Sequence, residues 1–170
     1  IIAKQKKLCF VPGTKFEYSN SGYFLLGQIV ERVAKKPLGR FLNEKIFTPI
    51  GMKNTVVLDA HAMIVPHKAT AYAPKATGGF EVAMSDWEQT GDGAVQSSVK
   101  DLALWDENFY TGKVGGPKFL EIMKTVGKLE NGKDLDYGFG LMTQRIGGVT
   151  VQTHGGAWAG YRSELMRVPE

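Results

Sequence analysis

One cysteine, Cys9, is all that the 170 residues contain. An internal disulfide is therefore excluded, and so is a zinc site built on cysteine. Cys9 stands among Leu8, Phe10 and Val11, a setting that suits a buried structural thiol better than a nucleophile. No apolar run approaches the ~20 residues that a membrane helix needs. Internal repeats and low-complexity segments are absent as well. The first ten residues, IIAKQKKLCF, lack the apolar length and the small-residue cleavage site of a signal peptide. They read as a chain picked up mid-helix, which leaves room for an export signal upstream. Charge of one sign is scarce: 21 basic residues against 17 acidic ones give a net +4 spread along the chain. The only basic cluster is Lys4, Lys6 and Lys7, so a nucleic-acid partner is not expected. His61 and His67 lie six apart, which is not helical metal spacing, and only Asp59 is near them. Both are expected to be solvated or hydrogen-bonded, and no metal is expected.

What is present points to one globular unit. Hydrophobic residues make up 43% of the chain, enough for a single domain with a core. Tyr23, Leu26, Ile29, Val30 and Val33 recur at helical spacing and predict a helix from about Ser21 to Lys35, capped by Ser19, Asn20 or Ser21. A second helix follows Pro37, with Leu38, Phe41, Leu42 and Ile46 inward, and TPIGM (48–52) is expected to break it. Residues 53 to 85 are irregular, with short strands at TVVL and ATAYA. TGDGAVQSS then leads into a helix from Val99 to Tyr110, which Gly112 ends and on which Trp105 belongs to the core. In that helix WDEN (105–108) reads as a solvated side, and Asp92, between glycines, as a turn residue. Pro117 opens a fourth helix. After residue 134 the pattern turns to strand: YGFGLMTQRI and VTVQTH flank a Gly147-Gly148 hairpin, and GYRSELMRVP makes a third strand. Helices first and an antiparallel sheet later indicate an α+β architecture, divided near residue 133. Three strands ending at Glu170 leave edges, which call for further strands.

Two stretches could carry chemistry. In FEYSNSGY (16–23), a phenol and a carboxamide stand two residues apart at a helix start. Capping alone accounts for such residues; the alternative is that Tyr18 carries protons and Asn20 holds a substrate amide. A free tyrosine, with a pKa near ~10, is a poor base at neutral pH unless cations lower it. In QTHGGAWAGYRS (152–163), His154 closes a strand and two glycines let backbone or ligand approach. The Ala157 N–H that follows suits an oxyanion, whereas a tight turn with a surface histidine would have no such role.

Taken together these pieces are more specific. FVPGTKFEYSNSGYFLLGQIVERVAKKPLGRFLNEKIFTPIGMKNT, GDGAVQSSVKDLALW, LDYGFGL and HGGAWAGYRS follow one another as they do in the serine β-lactamase and penicillin-binding-protein superfamily, which the whole chain resembles. The nearest branch is the class C-type group with its esterases and D-amino-acid peptidases. Ile50 replaces the leucine of that branch's PLGM.

The resemblance implies a β-lactamase-like α+β fold, present here as the middle and later part of a domain without its N- and C-terminal strands. It implies a serine hydrolase working by acyl transfer on an ester or peptide-like amide, with no cofactor. Tyr18 is implied as base or proton relay and Asn20 as the group orienting substrate and catalytic lysine. His154 would give electrostatic help, Ala157 would lend its N–H to the oxyanion hole, and Gly155, Gly156 and Trp158 would line the substrate pocket. Gly155 departs from the usual hydroxyl residue of the third motif, which disfavours a β-lactam carboxylate and favours an ester or amide without one. An exported or periplasmic bacterial location is implied by resemblance only.

The first motif, Ser-x-x-Lys, is missing ahead of Tyr18: none of the seventeen preceding residues is serine. Ser97-Ser98-Val99-Lys100 matches its letters, but Ser98 with Asp101 reads as a helix start, and the stretch lies on the wrong side of the tyrosine. The alternatives are a non-catalytic binding module with the same fold, or a half-enzyme completed by a second chain or a strand-exchanged oligomer.

Overall fold

The computed structural model describes residues 2–169. Ile1 and Glu170, on which the expected start and stop fall, lie outside the described residues. After a 3₁₀ turn at Ile2–Lys4, helix α1 spans Asn20–Ala34. Ser19 is its cap: extended backbone there lets the side chain accept the Gly22 N–H at 3.1 Å. Lys35, in the left-handed region, ends it. Helix α2 (Leu38–Leu42) runs through a π turn at Asn43–Phe47 into α3 (Thr48–Ile50), and Gly51 at φ 87° stops the run. TPIGM thus ends the helical run as expected, at its glycine and not at its proline. The wider π turn precedes the proline, whose ring would otherwise crowd the carbonyl four residues back.

Two small two-stranded sheets follow. β1 (Val56–Val57) pairs antiparallel with β4 (Val95–Gln96), and β2 (Tyr72–Pro74) with β3 (Phe80–Val82). Helix α4 spans Val99–Thr111 and ends at Gly112 in the left-handed region; Gly116–Met123 forms α5.

The main sheet has four strands in sequential order, β5 (Tyr137–Gly138), β6 (Leu141–Ile146), β7 (Val149–Trp158) and β8 (Tyr161–Arg167), all antiparallel. The stretch expected as one strand, YGFGLMTQRI, is itself a hairpin: Phe139 at φ 51° and Gly140 at φ 82° reverse the chain. Gly147 and Gly148, at φ 57° and 86°, make the β6–β7 turn with the two positive φ angles that match strand twist. Gly138 seats β5 against residues 125–127. A methyl group there would come within 2.2 Å of the Thr125 carbonyl oxygen, and the Gly127 N–H donates to the Tyr137 carbonyl at 2.9 Å.

The core has two centres. Phe47, Ile50, Met52 and Val57 form one; Phe109, Leu120 and Leu141 form the other; Trp105 touches both and stands edge-on to Phe109 at 5.5 Å. Arg167 ties β8 to α4: buried, it donates to Asp106 at 2.6 Å and Gln152 at 2.7 Å and lies 4.2 Å over the Phe109 ring. WDEN is thus not simply solvated. Asp106 holds that arginine, and Asn108, only 1% exposed, bonds both backbone groups of Val114.

Two expectations of burial fail. Cys9 is exposed, because the stretch leading to Ser19 contains no helix or strand beyond the first turn and nothing packs over the thiol. On α1, Ile29 and Val33 are 57% and 79% exposed. The covered side of α1 is instead the one bearing Gly27, which meets Gly91 and Leu38 closely enough that a methyl group would crowd both.

Candidate active site

The cap of α1 decides how FEYSNSGY is used. Ser19 alone takes the capping hydrogen bond, so the side chains of Tyr18 and Asn20, one on each side of it, are left for a cavity of about 1150 Å³. The same cavity is lined by residues 154–158, so all seven residues singled out from the sequence meet around one hollow.

Strand β7 supplies the second wall. His154 does not close the strand, as expected, but sits within it, and Gly155 and Gly156 are strand residues paired with Glu164 and Ser163. The glycines leave room for side chains of β8. A methyl group at 156 would come within 2.3 Å of Ser163 Oγ, and one at 155 within 3.0 Å of Glu164 Oε2. Strand β6 pairs with β7 only from Val149 to Thr153. From His154 to Trp158 the chain pairs with β8 alone among the described residues, so the other edge of this stretch is open, and its residues line the cavity. At its far end Trp158 meets Trp87 edge-on, ring centres 6.2 Å apart.

Three rings converge on the near end. Tyr18 lies with its ring centre 6.0 Å from that of His154 and 6.0 Å from that of Tyr137, nearly perpendicular to the latter. Tyr137 and His154 are joined by a hydrogen bond of 3.0 Å between the phenol oxygen and Nε2. His154 Nδ1 faces the Gly155 carbonyl at 2.7 Å. A carbonyl only accepts, so Nδ1 carries the proton, and in the neutral ring Nε2 is left to accept from the phenol. Burial pushes the Tyr137 hydroxyl above the usual tyrosine range, and the neighbouring Tyr23 and Tyr18 add to the shift. The phenol therefore keeps its proton and donates it. Tyr18, 55% exposed, is the most exposed of the three rings.

Tyr137 is the residue that sequence reading passed over. Its signal was the aromatic in LDYGFGL, taken there only as part of a strand.

Ser97 and Lys100 do not line the cavity. Ser97 Oγ shares a 2.8 Å hydrogen bond with Thr55, and Ser98 caps α4 by accepting the Asp101 N–H at 3.2 Å. Ser85 and Ser163 do line the cavity, but neither is followed by a lysine three residues on. Elsewhere, His61 binds Glu88 through both its backbone N–H and Nδ1, at 3.1 and 2.8 Å. Those bonds, the backbone one first, hold the Glu88 carboxyl below its ordinary range.

A helical layer, an antiparallel sheet and a cleft at the sheet's open edge make this an α+β fold of the β-lactamase-like, penicillin-binding-protein type. The chain belongs to the Beta-lactamase family, whose profile matches residues 2–170. It is similar to a D-aminopeptidase of Gluconobacter oxydans (strain 621H), 30% identical over 169 residues that make up 99% of this chain and 32% of that protein. The chain thus spans about a third of the length of such relatives. Among solved structures it is similar to the octameric penicillin-binding protein homologue from Pyrococcus abyssi, with a TM-score of 0.81, 26% identity and coverage of 93% of this chain and 37% of that one. A D-stereospecific amidohydrolase from Streptomyces sp. shares the fold, with a TM-score of 0.80, 24% identity and coverage of 94% and 48%.

Proposed function

We propose that this chain forms part of the active site of a serine hydrolase that cleaves the amide or ester of an amino acid by acyl transfer. The observation that carries the reading is the convergence of Tyr18, Asn20 and His154 on one cavity beside the open edge of β7. A serine followed three residues on by lysine, on a segment outside these residues, attacks the carbonyl. Its Oγ–C bond forms while its proton moves to the Tyr18 oxygen and the phenol's own proton moves to the lysine amine. The tetrahedral oxyanion rests on backbone N–H groups that include that of Ala157. The C–N or C–O bond breaks, the leaving group takes the proton, and water then releases the acyl group.

Tyr137 acts through His154: its hydrogen bond fixes the ring whose face borders Tyr18. The names of the relatives favour substrates of D configuration.

A second reading has its own observation. No serine of a Ser-x-x-Lys motif lines the cavity among the described residues, as expected for a binding module or for one half of a two-chain enzyme.

The test uses the protein from its complete reading frame with D- and L-alanine p-nitroanilide and the matching p-nitrophenyl esters. Turnover is expected, with the D-anilide preferred over the L-anilide. Failure to cleave any of the four would remove the hydrolase reading and leave the binding module.

A further inference from the structure

We infer that Glu164 gives the site its preference for substrates with a positively charged amine beside the scissile bond. The inference rests on the acyl-transfer reading and deepens it. Glu164 lies on β8 directly across from Gly155 and lines the same cavity as Tyr18 and His154. One carboxylate oxygen accepts the hydroxyl of Thr153, which fixes the group; the other, Oε2, stands over Gly155.

Side chains alternate across a strand, so His154 and Gly155 face opposite sides of β7. Glu164 shares the side of Gly155. A substrate lying along the open edge of β7 therefore meets imidazole on one side and carboxylate on the other. Because residue 155 has no side chain, nothing at that position separates the carboxylate from the edge.

The cations of the cavity do not cancel this charge. Arg162 donates to the carbonyls of Ala159 and Tyr161, at 2.8 and 2.6 Å, at the turn into β8. Lys68 adjoins Ala69, whose carbonyl accepts from the Tyr161 hydroxyl, so it belongs to the same end. Glu164 lies two residues beyond Arg162 on the same face of the strand, roughly 7 Å further along it, and among the described residues no ion pair joins the carboxylate to either cation. A carboxylate here attracts an ammonium group, through a charge-assisted hydrogen bond, and repels an anionic one. Glu164 is exposed, and water screening keeps the effect moderate.

The experiment compares kcat/KM for D-alanine p-nitroanilide and its N-acetyl derivative in the full-length protein and in E164Q. The glutamine keeps an oxygen for Thr153 and removes the charge. The native protein is expected to favour the free amine by about tenfold or more, as a charge-assisted contact implies. In E164Q that preference falls to about twofold or less while the N-acetyl substrate is cleaved as before. A preference that survives in E164Q, or that the native protein lacks, overturns the inference but leaves the hydrolase reading intact.

Were neither anilide cleaved, the binding arm would decide. D-phenylalaninamide, but not its N-acetyl form, should shift the amide resonances of Gly155 and Glu164 in the native protein, with Kd raised about tenfold in E164Q. Equal binding of the two ligands, or an unchanged Kd, counts against Glu164.

Discussion

Replacing Tyr18 by phenylalanine is expected to lower kcat for the D-alanine anilide by about 10²- to 10⁴-fold, the contribution of a positioned acid–base group. KM should change by less than about threefold. The separation of the two effects follows from the geometry. The ring of Tyr18 contacts Tyr137 edge-on and His154 at an angle, and phenylalanine keeps that ring. Only the hydroxyl is lost, and no hydrogen bond within the protein depends on it among the described residues. Stability should therefore stay within about 0.5 kcal/mol of the native value, as for a surface change. A variant with near-normal kcat would take the proton-carrying role from Tyr18. Tyr137→Phe is a useful comparison, since Tyr137 is buried and bound to His154 and its loss acts through the imidazole.

Replacing Asp101 by alanine is expected to destabilise the protein by about 2–4 kcal/mol, the cost of removing a buried charged acceptor and orphaning its donors. Asp101 is 2% exposed and receives the Asn54 N–H at 2.7 Å, the Asn54 side-chain amide at 3.3 Å and the Thr55 hydroxyl at 2.7 Å. These bonds join the start of α4 to the segment that enters β1. Burial pushes the Asp101 carboxyl up, but the bonds from Thr55, Asn54 and Ser98 outweigh it and hold the carboxyl below its ordinary value.

The sign of the pH dependence follows. A depressed folded-state pKa contributes stability that is present above the unfolded value, near ~4, and is lost as pH falls through the folded one. Urea midpoints measured from neutral pH down into the acid range should fall in the native protein and fall less steeply in D101A. Parallel pH curves for the two proteins would contradict the assignment.

Much of this arrangement was legible in the residues because local chemistry and tertiary contacts agree. Apolar periodicity, Ser19, Ser98 and Gly112 mark α1 and α4 to within a residue. Gly147-Gly148 marks a hairpin because both residues take the positive φ that the turn requires. What could not be read depends on partners distant in sequence. The exposed side of α1 has the same letters as a buried one; Gly27, a residue without a side chain, turns out to face Gly91 and Leu38.

The extension of β7 past His154 is set by the pairing of Gly155 and Gly156 with Glu164 and Ser163, whereas the glycines alone are as compatible with a tight turn as with a close approach of backbone or ligand. Phe139 occupies a turn position usually given to glycine or asparagine, which hid the β5–β6 hairpin. In Tyr18-Ser19-Asn20 the serine alone makes the cap and its neighbours line the cavity, so capping does not account for all three residues. Tyr137 is not marked by its local sequence because what sets it apart is a contact with a histidine seventeen residues away.

The most direct measurement is to trap the acyl-enzyme of the full-length protein with an activated ester at low pH and to locate the acyl group by peptide mass spectrometry. The account predicts one acylated serine, three residues before a lysine, on a segment outside these residues, with acylation slowed in Tyr18→Phe. Acylation of Ser97, or of a side chain whose labelling is indifferent to Tyr18, would contradict it.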